Sequence, residues 1–479
     1  GHGLDLETWW VKRGDGVSAM PGFEAFVGGV VEPGDAQLAI EGAGGERERV
    51  LMACAIREAF EEAGVLVGLA GPTRCDPGRI AQARGRLLAG SVTFSELAWE
   101  CGWRFQAGAL AVAGRWQAPA FAAPRFDVTY FVARVPEGQE PSLLGAELAA
   151  GEWIRPLEAL DRYHEGRATF APPILHTLLA LAEGEDDLPA RLAQGPELAA
   201  YPVRRIEFKW GVVMHPMKSR PLPPATHTNA YLVGERDMAL VDPGSGDPEA
   251  LEPLFTLVQT LEAEGRRLRI VLLTHHHADH CGGCEAVRER WRVPVAAHAE
   301  TARHLRVDRV LEDGETVPLA AGLGDWDLRA LHTPGHTRGH LAFLHARTRP
   351  LFSGDLITGG RGTAILDPPD GDVAAYLASL ERLLAEPVET LFPAHGTPHG
   401  AARPRIRWLV EHRLRREAQV LAALREEPQE PAALVETVYR DTPAELWGYA
   451  ERTLLAHLVK LEAEGRAARV DDAWRLAPA

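Results

Sequence analysis

The chain has 479 residues, 46% of them hydrophobic, and its 51 Lys and Arg stand against 67 Asp and Glu for a formal net charge of −16. That length allows roughly two to four domains with real cores, and the acidity excludes a dominant electrostatic grip on nucleic acid, although one basic patch can coexist with it. Five cysteines, unevenly placed, are too few for a disulfide framework, so a reducing cytoplasm is expected. No apolar run of spanning length and no basic start followed by an apolar core occurs, so neither a membrane span nor a signal peptide is expected. Gly1-His2-Gly3 reads as a cloning remnant that displaces the natural start.

In chain order, the first chemical signal is Arg57-Glu58-Ala59-Phe60-Glu61-Glu62-Ala63-Gly64-Val65. The pattern predicts a helix from near Glu46 to Gly64, a residue free to take the left-handed conformation that closes a helix. Glu58, Glu61 and Glu62 stand at i, i+3 and i+4 and so share one face. Like charges clustered this way destabilise a helix unless a cation neutralises them, and hard oxygens suit Mg²⁺ or Mn²⁺. The stretch resembles the helical half of the Nudix box, and Gly28-Gly29-Val30-Val31-Glu32-Pro33-Gly34-Asp35 resembles its glycine half. Two departures stand out: Asp35 replaces the usual Glu, and an insertion over 36–56 splits the halves. Met20-Pro21-Gly22 and Arg125-Phe126-Asp127-Val128-Thr129-Tyr130-Phe131 are similar to the branch that contains coenzyme A diphosphatases. This resemblance implies Glu61 and Glu62 as metal ligands, Glu58 as base or third ligand, Arg57 as the partner orienting the carboxylates, and the Gly28 carbonyl as a further ligand. A Nudix-like domain that only binds or scaffolds is the alternative.

An acidic stretch, Glu183-Gly184-Glu185-Asp186-Asp187-Leu188-Pro189, marks a boundary before a new start near Tyr201. Further on, the apolar, β-branched run Arg269-Ile270-Val271-Leu272-Leu273 predicts a buried strand. It delivers Thr274-His275-His276-His277-Ala278-Asp279-His280 at its C-terminal end. His275 and His277, two apart, point the same way and can grip one ion, while Asp279 and His280 turn toward a second; imidazole with carboxylate suits Zn or Fe. His336, Asp355 and His395 each follow Pro or Gly closely, where a sharp turn projects a side chain from a strand end. His298, His304, His345 and His412 read instead as surface or satisfied core residues. Cys281 and Cys284 read as small helix-opening residues, since a closed metal site needs two more ligands.

The order T-H-x-H-x-D-H, P-G-H-T-x-G-H, S-G-D and P-x-H-G resembles the metallo-β-lactamase fold hydrolases over about 205–400. Thr228-Asn229-Ala230-Tyr231-Leu232-Val233 and Leu240-Val241-Asp242-Pro243-Gly244 resemble that family's first hairpin and structural aspartate. The resemblance implies His275, His277 and His336 on one metal, Asp279, His280 and His395 on the other, and Asp355 bridging them. It implies two Zn²⁺, with Fe or Mn as rivals, and Asp279 as the residue that orients the attacking water. His340 and Asp242 would support the ligands or meet substrate. Ala394 stands where relatives commonly have Gly and removes no ligand.

The tail turns helical. Residues 405–424 are amphipathic and rich in Arg, and Thr442-Pro443-Ala444-Glu445 predicts a capping box with proline at the first helical position. Leu454, Leu455, Leu458 and Leu461 keep core spacing up to Gly465, and Ala467–Val470 with Ala473–Leu476 predicts a hairpin. Helices followed by a β-wing suggest a winged helix, and the segment resembles the C-terminal module of the β-lactamase-like-protein-2 family, whose relatives include ribonucleases that cut single strands. If RNA is the substrate, Arg413, Arg415 and Arg416 should line a path toward the metals.

The expectation is a multi-domain α/β and α+β chain. It comprises a Nudix-like α/β/α domain (1–185), a linker (186–204), a metallo-β-lactamase αββα sandwich (205–402) and a winged-helix module (403–479). Its expected work is metal-dependent hydrolysis of a thioester or other ester-type bond in a small molecule, with diphosphate cleavage of a nucleotide, CoA or acyl-CoA compound and no membrane partner. The competing reading is an endoribonuclease on single-stranded RNA, with the Nudix domain as a binding module.

Overall fold

The computed structural model describes residues 6–17, 19–71, 76–118, 125–193, 205–223, 225–320, 326–360 and 362–478; Gly1-His2-Gly3 and the start expected near Tyr201 lie outside them. The chain divides into two compact units that meet at 201/202, with 18–20 grouped in the second.

In the first unit, the strand Thr8–Arg13 pairs antiparallel with Leu148–Ile154 and with Glu24–Ala25, and Leu110–Gln117 pairs antiparallel with Asp127–Ala133. The helix Glu46–Ala63 ends where Gly64, at φ 71°, donates its N–H to the Ala59 and Phe60 carbonyls. Its apolar face, with Ile56 and Phe60, packs on Phe94, Trp103 and Phe105. The Phe60 ring lies 5.4 Å from Trp103 and 5.6 Å from Phe94, a burial that contributes roughly 1.5–3 kcal/mol. The 3₁₀ turn Pro33–Gln37 leads from the glycine half into the inserted segment, which forms the short strand Ile40–Glu41 parallel to Phe105–Gln106 and then joins the helix.

The second unit holds two sheets. One has seven strands; Arg267–Leu272, third from one edge, runs parallel to Asp237–Val241 and Val295–Ala297. The other has five, from Thr316–Val317 through Leu341–His345 to Thr390–Pro393. Tyr231 from the first meets Phe352 and Phe392 from the second at ring distances of 5.3 and 5.6 Å, so the sheets face each other across an aromatic core. The helices Pro248–Ala263 and Cys284–Trp291 cover the first sheet, and Val373–Ala385 and Ala402–Ala423 cover the second. The layers are therefore αββα.

The boundary expected at 402/403 falls at the start of one continuous 22-residue helix, Ala402–Ala423. Its first half buries Ile406 and Leu409 in the sheet-covering layer, while Val420 enters a separate core with Leu434, Leu454, Leu458 and Trp474. Around that second core stand the helices Pro431–Val438 and Trp447–Ala463 and the hairpin Ala467–Val470 with Ala473–Leu476. The expected capping box does not form. Pro443 is extended, a 3₁₀ turn Ala444–Leu446 follows, and the helix begins at Trp447. The Trp447 indole donates to the Thr442 carbonyl at 3.0 Å and its ring packs against the core around Leu434, Leu454 and Trp474; that tertiary packing overrides the local signal. Among the described residues, no helix is long and apolar enough to cross a membrane.

Candidate functional site

The strand Arg267–Leu272 of the seven-stranded sheet ends beneath a histidine loop, and Asp242 holds that loop in place. Asp242 is buried at φ 49°. It accepts from the Thr274 N–H at 2.8 Å and hydroxyl at 2.7 Å, and its Oδ2 lies 2.9 Å from His280 Nδ1. Asp355 enters from the second sheet through Gly354 at φ 49°, where a Cβ would stand 2.6 Å from His340 Nε2 and 2.7 Å from Thr274 Cβ. Only glycine permits that approach.

Two triplets form. His275, His277 and His336 bring their nitrogen atoms within 4.8 Å of one another, as do the donor atoms of Asp279, His280 and His395. Asp355 lies between the triplets: Oδ1 is 3.5 Å from His280 Nε2 and 3.2 Å from His395 Nε2, and Oδ2 is 3.6 Å from His336 Nε2. The rear nitrogens are tied down, His336 Nδ1 by the Ile365 carbonyl and His395 Nδ1 by the His227 carbonyl, both at 2.9 Å. Such ties fix ring orientation toward a common centre. His280 Nε2 and Asp355 Oδ1 are buried with no hydrogen-bond partner among the described residues. A mixed imidazole and carboxylate donor set with inward orphan atoms fits a pair of transition-metal ions.

The titration behaviour fits the same account. Burial, then neighbouring imidazoles, drives His275 well below its ordinary value and His277 down to about 3. Burial opposes charge on His280 and His395 as well, but Asp355 together with Asp242 lifts His280 well above the ordinary value, and Asp355 together with Asp279 lifts His395 to about 10. Burial likewise opposes ionisation of Asp279, yet the His395 hydrogen bond and the His280 charge hold its carboxyl at about 2.

His340 is fully buried, with Nδ1 2.9 Å from the Thr333 hydroxyl and its ring 5.5 Å from that of His275. It stands against the ligand cluster. Cys281 and Cys284 are free: Cys281 donates to the His276 carbonyl at 3.2 Å, and Cys284 lies in the core. His345 is core, stacked on Trp326, while His298 stacks on His332 and His412 on Trp408. His276 carries more than its sequence position suggested. Its ring stacks on His304 at 3.8 Å, and with His277 and Asp370 it forms a further close donor group. Asp370 lies far along the chain, so no local signal paired it with His276.

In the first unit Arg57 is the hub. Its guanidinium donates to Asp35 at 2.8 and 3.1 Å, to Glu58 at 2.8 Å, to Glu61 at 2.9 Å and to the Val30 carbonyl at 2.9 Å. The 3₁₀ turn carries Asp35 inward, so the shorter acid still reaches the arginine. Glu62 instead accepts from the Gly28 N–H at 2.8 Å. The three glutamates thus share a helix face without converging: they are not among the described side chains whose donor atoms cluster within 4.8 Å. Burial raises Glu58 to about 6 and Glu62 to about 7, and it raises Glu61 too. Glu147 adds to the shifts on Glu58 and Glu62, and Glu32 to that on Glu61, so the acidic surroundings are wider than the helix pattern shows. Arg84, which sequence reasoning missed, is buried and donates to the Glu61 carbonyl at 2.8 Å and to the Glu62 carbonyl at 2.8 Å. It caps the final turn beneath the carboxylates.

Residues 223–395 match the metallo-beta-lactamase superfamily, 431–474 the beta-lactamase associated winged helix domain, and 47–181 the NUDT19 Nudix domain. The last match covers the helical half of the box and not its glycines. A beta-lactamase-like protein 2 homolog of Drosophila melanogaster is 32% identical, over 50% of this chain and 83% of its own length. An atrochrysone carboxyl ACP thioesterase of Pseudocercospora fijiensis is 32% identical over 47% of this chain and 63% of its own length. A beta-lactamase domain protein from Burkholderia ambifaria is 24% identical, covering 57% of this chain and 93% of that one, with a TM-score of 0.49.

Proposed function

The chain belongs to the metallo-β-lactamase superfamily, in the family of beta-lactamase-like protein 2, with an added Nudix domain; from that premise we propose that it hydrolyses a thioester or similar ester-type bond in a small molecule and cleaves the diphosphate of a nucleotide or CoA-like compound. The observation that carries the first half is the convergence of seven His and Asp side chains, from four separate segments, on one buried centre. The thioester class is supported by similarity to a chain named as a thioesterase.

His275, His277 and His336 would hold one ion, Asp279, His280 and His395 the other, with Asp355 between; Zn²⁺ suits this donor set, with Fe or Mn as rivals. Such ions, when bound, supply a nucleophile from water at neutral pH and polarise the acyl oxygen. Asp279 would orient the attacking water, and the Thr228 hydroxyl, donating to Asp279 Oδ2 at 3.3 Å, fixes that carboxylate. In the Nudix domain Glu58, Glu61 and Glu62, with the Gly28 backbone, would hold Mg²⁺ or Mn²⁺ once the glutamates turn from Arg57 and Gly28 toward the ion. Glu58, lifted to about 6, suits a general base near neutral pH. The free cysteines Cys54, Cys101, Cys281 and Cys284 fit a reducing cytoplasm.

Single-stranded RNA is the less supported substrate. Of the three arginines expected to line a path, Arg413 and Arg416 are buried at 2% and 6% exposure, donating to the Ala364 and Val438 carbonyls, and only Arg415 is exposed, so they form no continuous path for phosphates. The test assays purified protein on acyl-CoAs, CoA, nucleoside diphosphate compounds and single-stranded RNA. Thioester and diphosphate cleavage are expected; salt-sensitive RNA cleavage with neither would reverse the reading.

A further inference from the structure

We propose that the winged helix positions the metal centre: Arg413 and Thr453 latch the 364–366 backbone whose Ile365 carbonyl orients His336. The proposal rests on the binuclear reading above and assigns the module a role within it.

His336 hangs on a loop it does not own. Its Nδ1 is held at 2.9 Å by the Ile365 carbonyl, so the place of that carbonyl sets where Nε2 points. The carbonyl is bracketed by the tail. Arg413, on the helix Ala402–Ala423, donates to the neighbouring Ala364 carbonyl. On the other side, the hydroxyl of Thr453, on the helix Trp447–Ala463, accepts the Leu366 N–H at 3.2 Å. Ala364, Leu366, Arg413 and Thr453 are all buried, so water does not substitute for these bonds.

A second route reaches the same histidine. The Arg413 guanidinium lies 5.1 Å from the centre of the Tyr376 ring. The Tyr376 backbone presses on Gly335, where a Cβ would stand 2.4 Å from Tyr376 Cα at φ 137°. Gly335 is the residue before His336, and its carbonyl accepts from the Asp372 N–H at 2.8 Å. Arg413 thus braces both the loop behind the imidazole and the turn beneath it. An arginine used this way is withdrawn from solvent.

The test measures metal affinity rather than turnover. Thr453→Val keeps shape but loses the acceptor, Thr453→Ser restores it, and Arg413→Met removes the brace. Each variant is loaded with Zn²⁺ and titrated with a chelator, and the Co²⁺-substituted form is read by absorption. Leu458→Val, which loosens the winged-helix core away from the latch, controls for general destabilisation. Thr453→Val and Arg413→Met should weaken one of the two ions about tenfold, as loss of support behind a ligand does, and should change the Co²⁺ spectrum. Thr453→Ser and Leu458→Val should do neither. If Arg413→Met fails to fold, Thr453→Val decides. Two ions in the parent chain and unchanged affinity and spectrum in folded Thr453→Val would overturn the latch alone. A parent chain that never holds two ions would overturn the binuclear reading and the latch with it.

Discussion

Asp279 is the residue on which most of the proposed chemistry turns, because it belongs to a triplet and still faces the space where water would attack. Asp279→Asn keeps the shape and the Thr228 contact but removes the charge that His280 and His395 answer. Thioester hydrolysis should fall by at least about a hundredfold with the circular dichroism spectrum unchanged; near-normal rates would end the role. In the first unit, Glu62→Gln should abolish diphosphate cleavage at millimolar Mg²⁺, since the amide cannot supply the charge that holds the ion. Normal cleavage by that variant would move the metal site off the helix face. The triplets were legible from residue order because four of their six members lie within one strand-end loop. The inward course of Arg413 and Arg416 was not, since the same helix pattern serves a solvated basic face or a buried brace.

Among elements, the strand Val212–Lys218 carries a buried His215 that burial pushes down to about 4. An unfolded histidine takes its proton near pH 6.5. Between pH 6.5 and 4 the unfolded chain therefore binds more protons, and stability falls as pH drops through that window, by at most about 3 kcal/mol for this group. In urea unfolding of the metal-free protein, His215→Gln should show a flatter acid limb than the parent chain. Equal slopes would mean His215 titrates as an exposed residue. The helix Glu46–Ala63 was readable to within a residue because periodicity and the Gly64 stop agree. Its support by Arg84 was not, because that contact comes from a separate helix. At Thr442 the local signal misled, since a tryptophan contact outweighed a capping bond that contributes only about 1 kcal/mol.

Across the whole molecule, two compact units carry two different donor chemistries: imidazole with carboxylate in one, carboxylates around an arginine in the other. The αββα layers, the winged helix and the Nudix helix were visible in the sequence because each rests on short-range patterns joined by a recognisable order. How the winged helix connects to the metal centre was invisible, because it depends on which carbonyl a buried side chain meets. The account stands or falls on the ions. Elemental analysis of metal-replete protein, paired with His336→Ala and His395→Ala, addresses it most directly. The parent chain should carry two transition-metal ions per chain and each variant about one. Fewer than one ion in the parent chain, with the fold intact, would contradict the account.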